Sequence, residues 1–154
     1  MDSTFSLIRN IARIFCGHQA EELQPPTSTL EIGIARLRNL LRAKFPDAQI
    51  FVSDWTTKLC DPHDIKYFLK QDKTNHRKYI AEKYDCDDFA YRLLGQFAVP
   101  GWAELAFGLV WTDLHALNCF VDSAGKFWYI EPQKDTIQLK LSSWQGTEIR
   151  LILM

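Results

Sequence analysis

Apolar positions recur at helical spacing in the first two thirds of the chain and at strand spacing in the last third. Phe5, Ile8, Ile11, Ala12 and Phe15 fall on one face of a helix over 3–16, with Arg9 and Arg13 opposite and Gly17 as its stop. Such a face either docks on the chain's own core or serves a membrane surface or a partner. Pro25 and Pro26 mark a linker over 21–27. Ser28 and Glu31 have capping-box spacing, which predicts a helix carrying Leu30, Ile34, Leu37 and Leu41 and ending near Phe45. The run Ile50 to Val52 predicts a short strand over 48–53. Asp61-Pro62 opens a helix to about Lys70, a short helix covers 78–83, and Asp85, answered by Asp88, caps a helix over 85–97. Beyond Pro100-Gly101 the pattern changes to strands over 105–111, 115–121, 126–130, 136–141 and 148–153, with a hairpin turn at 122–125. Helices followed by an antiparallel meander predict an α+β fold in a single domain over 1–154. Residues 1–27 form its N-terminal helix and linker, and 48–154 the core that carries the chemistry.

The composition, 47% hydrophobic and 24% charged, belongs to a folded chain able to bury a core. A net charge of -1 without a Lys/Arg-dominated stretch argues against a nucleic-acid partner. No stretch is apolar and long enough to span a bilayer, and no secretion signal is evident, so the expected setting is cytoplasmic. The wide, irregular spacing of Cys16, Cys60, Cys86 and Cys119 reads as free thiols. Cys16–His18 and Cys60–His63 have pair spacings that match no zinc-finger pattern. Trp102, Trp111, Trp128 and Trp144 lie among apolar strand positions and are expected in the core, with Trp111 near enough to His115 to wall a cleft.

Cys86 lies just inside a predicted helix start, where free N–H groups and the helix dipole favour a thiolate and can hold an oxyanion. Asp85, Asp87 and Asp88 oppose this, because nearby negative charge raises a thiol pKa. His115 begins one strand and Glu131 ends the next, so a hairpin brings imidazole and carboxylate together. Nucleophile, base and orienter are thereby assigned to Cys86, His115 and Glu131, with Gln133 close enough to substitute as orienter. Ser53, Asp54, Trp55 and Thr56 are polar enough to line a cleft beside them.

These segments resemble a known family. Asp85-Cys86-Asp87-Asp88-Phe89-Ala90 is similar to the Cys motif of bacterial transglutaminase-like cysteine proteinases, and Phe97-Ala98-Val99-Pro100 to their helix exit. His115-Ala116-Leu117-Asn118 is similar to their His strand, and Gly125 through Glu131 to their Gly-x-Trp strand, although Glu131 stands where Asp is usual. The resemblance implies a papain-like core with the Cys helix on an antiparallel sheet. It further implies an acyl-enzyme mechanism on a peptide, protein or other amide, by hydrolysis or acyl transfer. Asn118 and Trp111, near His115 in sequence, are candidate auxiliaries. By resemblance, calcium is a candidate ligand of Asp85, Asp87 and Asp88. Two further readings use the same residues: an inactive binding or inhibitor protein, and a metal site on Asp87, Asp88, His115 and Glu131.

Overall fold

The computed structural model describes residues 23–154. The helix expected over 3–16, its stop at Gly17 and the Cys16–His18 pair lie outside the described residues.

The second predicted helix begins later than its capping signal. Ser28 is buried and does not cap with Glu31. Its hydroxyl donates to Asp64 Oδ2 at 2.7 Å and accepts from the Asp61 backbone N–H at 2.8 Å. Glu31–Gly33 instead forms a strand, β1, antiparallel to β3 (Thr56–Lys58). The helix α1 (Ile34–Lys44) follows Gly33 without a side-chain cap. β2 is Gln49–Phe51. The Asp61-Pro62 start is as expected: Asp61 Oδ1 accepts from His63 N–H at 2.7 Å, and α2 spans Pro62–Gln71. A short 3-10 turn occupies Thr74–His76. No helix forms over 78–83. Ile80 and Tyr84 exchange backbone hydrogen bonds at 2.9 and 2.8 Å, and Glu82 between them sits at φ 59°, a value no α-helix accommodates. α3 (Cys86–Phe97) starts with the Asp88 carboxylate on the Asp85 backbone N–H at 3.1 Å, as the spacing predicted.

β4 (Phe107–Thr112), β5 (Ala116–Val121), β6 (Phe127–Glu131) and β7 (Thr136–Gln138) form an antiparallel meander. The complete sheet is not antiparallel. β8 (Ile149–Leu153) returns beside β4, and β2 adds parallel to β8, in the order β2-β8-β4-β5-β6-β7. The return is close: a Cβ on Gly108 would run into the Leu153 carbonyl, so only glycine fits where β4 meets the end of β8. The expected antiparallel sheet is thus corrected to a mixed six-stranded one with a separate two-stranded ribbon. Alternation along each strand identifies a strand but not its neighbours.

Two apolar contacts fix α3 on the sheet. At its C-terminal end Phe97 stacks on Phe107, centroids 3.8 Å apart, and meets Phe68 of α2 at 4.5 Å. At its N-terminal end Ala90 packs on Leu109 and Ala116, with Cys86 and Leu94 at the margin. Small residues let helix and sheet approach here. Buried Asn118 uses that closeness, donating to the Ala90 carbonyl at 3.0 Å and the Gly108 carbonyl at 3.3 Å. No helix of the described residues is long and apolar enough to cross a membrane.

Candidate functional site

The end of α3 that carries Cys86 meets the hairpin that carries His115. Cys86 is the first residue of α3 and half-buried, and its sulfur accepts from the backbone N–H of Ala116, next to His115. Burial pushes the Cys86 thiol up. The Ala116 N–H pulls it down, and the Asp85 and Asp87 carboxylates push it further up, so the net shift is away from a thiolate. The objection raised by the flanking acids at the level of sequence holds in three dimensions.

The acids are occupied with one another. The Asp85 and Asp87 carboxyl groups lie against one another, which holds Asp85 low and Asp87 high. Asp88 is spent on the helix cap. Among the described residues the ligand atoms that gather within 4.8 Å are those of Asp85, Cys86 and Asp87, not Asp88. Two carboxylates and a soft thiol fall well short of the six to eight hard oxygen ligands that calcium takes. The donor set does not fit that ion. The Cys60–His63 pair is not brought together either, since the buried Cys60 thiol donates to the Ala106 carbonyl at 3.5 Å.

His115 and Glu131 meet as the hairpin argument requires. His115 Nε2 lies 2.8 Å from Glu131 Oε2, both side chains nearly out of contact with water. Burial tends to raise the Glu131 carboxyl, but hydrogen bonds from His115 and Gln145 outweigh it and hold the group below its ordinary value. Gln133 contributes only its backbone N–H, at 3.4 Å from Glu131 Oε1. The side-chain partner is Gln145, unanticipated from the sequence, whose Nε2 donates to Glu131 Oε2 at 2.9 Å. Gln145 is buried, and its Oε1 accepts from Gln138 Nε2 at 2.6 Å and from the Ser142 N–H at 3.0 Å. Its carbonyl receives the Thr112 hydroxyl at 2.6 Å, and Thr112 Oγ1 in turn accepts from the His115 N–H at 2.8 Å. The turn at 143–145 and the His115 hairpin are therefore one hydrogen-bonded unit. The Ser142/Gln145 spacing is itself a capping box, a local signal that could have marked this turn.

That unit displays Trp144. Expected in the core, Trp144 is 52% exposed and meets the His115 ring at 5.0 Å between centroids, with Lys134 Nζ 5.5 Å from its own ring. On the other side Trp111 pairs across the sheet with Ala116 and so projects from the same face, the one on which Cys86 packs. Trp111 is 37% exposed and meets Tyr91 of α3, 45% exposed, edge to face at 6.2 Å. Trp102 is fully buried as expected, and Trp128 is half-buried with its Nε1–H on Asp122. Asn118, a candidate auxiliary, is a structural tie between α3 and the sheet. Ser53 and Asp54 border a separate cavity of about 150 Å³ lined by Leu37, Val52, Leu94 and Phe97.

No family model and no curated protein matches the chain. Solved structures do match. One is a PSL1a-E64 complex, at 22% identity and a TM-score of 0.71, covering 82% of this chain and 51% of that one. Another is Polyporus squamosus lectin bound to the human-type influenza-binding epitope Neu5Aca2-6Galb1-4GlcNAc, at 20% identity and a TM-score of 0.65, covering 82% and 50%. The chain spans about half the length of each, and the likeness is one of fold. It corrects the resemblance to transglutaminase-like cysteine proteinases and the α+β papain-like core inferred from it. The hydrolase, thiol-protease and acyl-enzyme readings rested on that resemblance and are corrected with it. The fold of this chain is similar to that of Polyporus squamosus lectin structures.

Proposed function

We propose that this chain is a carbohydrate-binding domain whose site is the surface formed by Trp144, His115, Trp111 and Tyr91 at the N-terminal end of α3. The observation that carries the reading is the pairing of exposed aromatic rings with polar groups whose orientations are already fixed. A sugar offers an apolar C–H face and a rim of hydroxyls. Aromatic plates cover the first, and carboxylates, imidazole and free N–H groups take the second. Groups locked before binding lose little entropy on complex formation, and the Thr112–Gln145–Glu131–His115 chain of hydrogen bonds supplies that locking. The fold likeness to a lectin bound to a sialylated lactosamine supports the same reading. A glycan ligand replaces the peptide, protein or other amide expected from the sequence.

Cys86 and the His115–Glu131 pair then form the floor of the site. Asp85 and Asp87 lie on its α3 side, and Lys134 lies on its Trp144 side. A reducing, cytoplasmic setting goes with this proposal, supported by the unpaired Cys60, Cys86 and Cys119.

Titration of tryptophan fluorescence with sialyl-α2,6-lactosamine and with its asialo form tests the site. Saturable quenching is expected, with affinity reduced at least about tenfold by Trp144→Ala or Trp111→Ala, equivalent to about 1.4 kcal/mol each. If neither glycan binds at millimolar concentration, or binding survives both substitutions, the proposal is wrong.

A further inference from the structure

Away from this surface, three side-chain oxygens are buried without a partner: Thr74 Oγ1, Asn75 Oδ1 and Asp135 Oδ1. Two of them belong to residues already joined, since Asn75 Nδ2 donates to Asp135 Oδ2 at 2.6 Å across 60 positions of sequence. A carboxylate only accepts, so an ionised Asp135 leaves its second oxygen and the amide oxygen of Asn75 both unsatisfied. A proton on Asp135 Oδ1 resolves both at once, because the acid O–H then donates to Asn75 Oδ1 and the two side chains close a ring of two hydrogen bonds. We propose that Asn75 and Asp135 form a proton-operated latch, closed as an acid–amide pair and loosened when Asp135 ionises, tying the 3-10 turn Thr74–His76 to the β6–β7 turn.

The surroundings place this switch in an accessible range. Burial, then the Asp72 carboxylate, push the Asp135 carboxyl up to about 6, against the opposing pull of His76 and Lys73. From α2, His63, Lys66 and Lys70 share a cavity of about 390 Å³ with Asp135, and Lys134 precedes it in the same turn. The cations oppose protonation of Asp135, and burial together with the Asp72 carboxylate outweighs them. Asp135 also sits at φ 52°, a left-handed conformation that a non-glycine residue keeps only where its neighbours hold it. Release of the latch therefore loosens a turn that is strained without it. That turn begins at Glu131, whose carbonyl accepts from the Lys134 N–H at 3.1 Å, and it carries the Lys134 ammonium near Trp144. The latch is independent of what the aromatic surface binds.

The test combines carboxyl NMR titration with amide hydrogen exchange on the whole chain, for the wild type and for Asp135→Asn, Asn75→Ala and Asp72→Asn. The Asp135 carboxyl is expected to titrate near pH 6, and lower in Asp72→Asn. Protection of the amides of 74–77 and 133–136, corrected for intrinsic rates, should fall several-fold from about pH 5 to about pH 7.5 in the wild type. It should stay flat in Asp135→Asn, where an amide takes the place of the acid in the ring, and be low at both pH values in Asn75→Ala. A carboxyl that titrates in the ordinary aspartate range overturns the proposal, as does flat protection in the wild type. So does protection restored at high pH by millimolar calcium in the wild type alone, which makes the cluster a cation site instead.

Discussion

Removing the Gln145 side chain tests whether one buried amide holds the site together. In Gln145→Ala three hydrogen bonds vanish: the donor to Glu131 Oε2 at 2.9 Å, and the acceptor for Gln138 Nε2 at 2.6 Å and for the Ser142 N–H at 3.0 Å. Gln138 is partly exposed and turns to water at little cost. The bond to an ionised carboxylate is worth about 1.5–3 kcal/mol, and stranding the Ser142 N–H costs roughly 1 kcal/mol more. The sum, about 3 kcal/mol, corresponds to a fall in Tm of about 6–12 °C for a domain of this size. The isosteric Gln145→Glu sharpens the test. It sets a second carboxyl against Glu131, so its pKa is raised in the folded state. Sign follows: a raised folded pKa means stability present at low pH and lost as pH rises through that value, so this variant should melt closer to wild type at about pH 5 than at about pH 7.5. Calorimetric melts of the wild type and both variants across that range measure it. A Gln145→Ala change under about 0.5 kcal/mol, or a pH-independent penalty in Gln145→Glu, refutes the claim that Gln145 carries the Glu131–His115 pair.

Other consequences follow from the same geometry. Glu131 is held below its ordinary pKa, so its stabilisation is present above the ordinary carboxyl range and lost as pH falls through the lowered value; the Tm gap between wild type and Glu131→Gln should close below about pH 4 in thermal melts. Gly146 has φ 94°, and a Cβ there would run into the Thr112 and Asp113 side chains, so Gly146→Ala should cost roughly 2–3 kcal/mol by urea denaturation and release Trp144, read as a red-shifted fluorescence. Cys86, raised by burial and the two flanking carboxylates, should react with iodoacetamide at about pH 7.5 more slowly than free cysteine; a rate that plateaus below pH 7 would mean that the imidazole holds a thiolate after all.

The parts of this fold that the sequence disclosed are those fixed by local chemistry. Asp61 with Pro62, and Asp85 with Asp88, start helices because a side chain satisfies a backbone N–H within three residues. The hairpin β5–β6 follows from alternation and a turn, and it delivered the meeting of His115 with Glu131. Ser28 shows the limit. Its spacing to Glu31 is correct for a cap, but Asp64, 36 positions away, offers the hydroxyl an ionised partner that neither neighbour can match. The place of β8 between β2 and β4 was equally out of reach, because strand order depends on contacts such as Gly108 against Leu153, which no local pattern records.

The site illustrates why a pattern of residues can mislead about chemistry. Spacing anticipated the meeting of His115 with Glu131, and Cys86 packs beside Ala116, but spacing is a statement about positions. Reactivity depends on the free energy of the anion at the sulfur, which no motif encodes. At Cys86 the helix start and the Ala116 N–H favour the anion, while burial and the Asp85–Asp87 pair disfavour it, and the second group prevails. The same acids that complete the likeness to a thiol-protease motif thus oppose the thiolate that such a protease needs. Trp144 makes the converse point. Nothing in its sequence neighbourhood separates it from the buried Trp102, yet Gly146, Thr112 and Gln145 hold its turn so that the indole meets water beside His115.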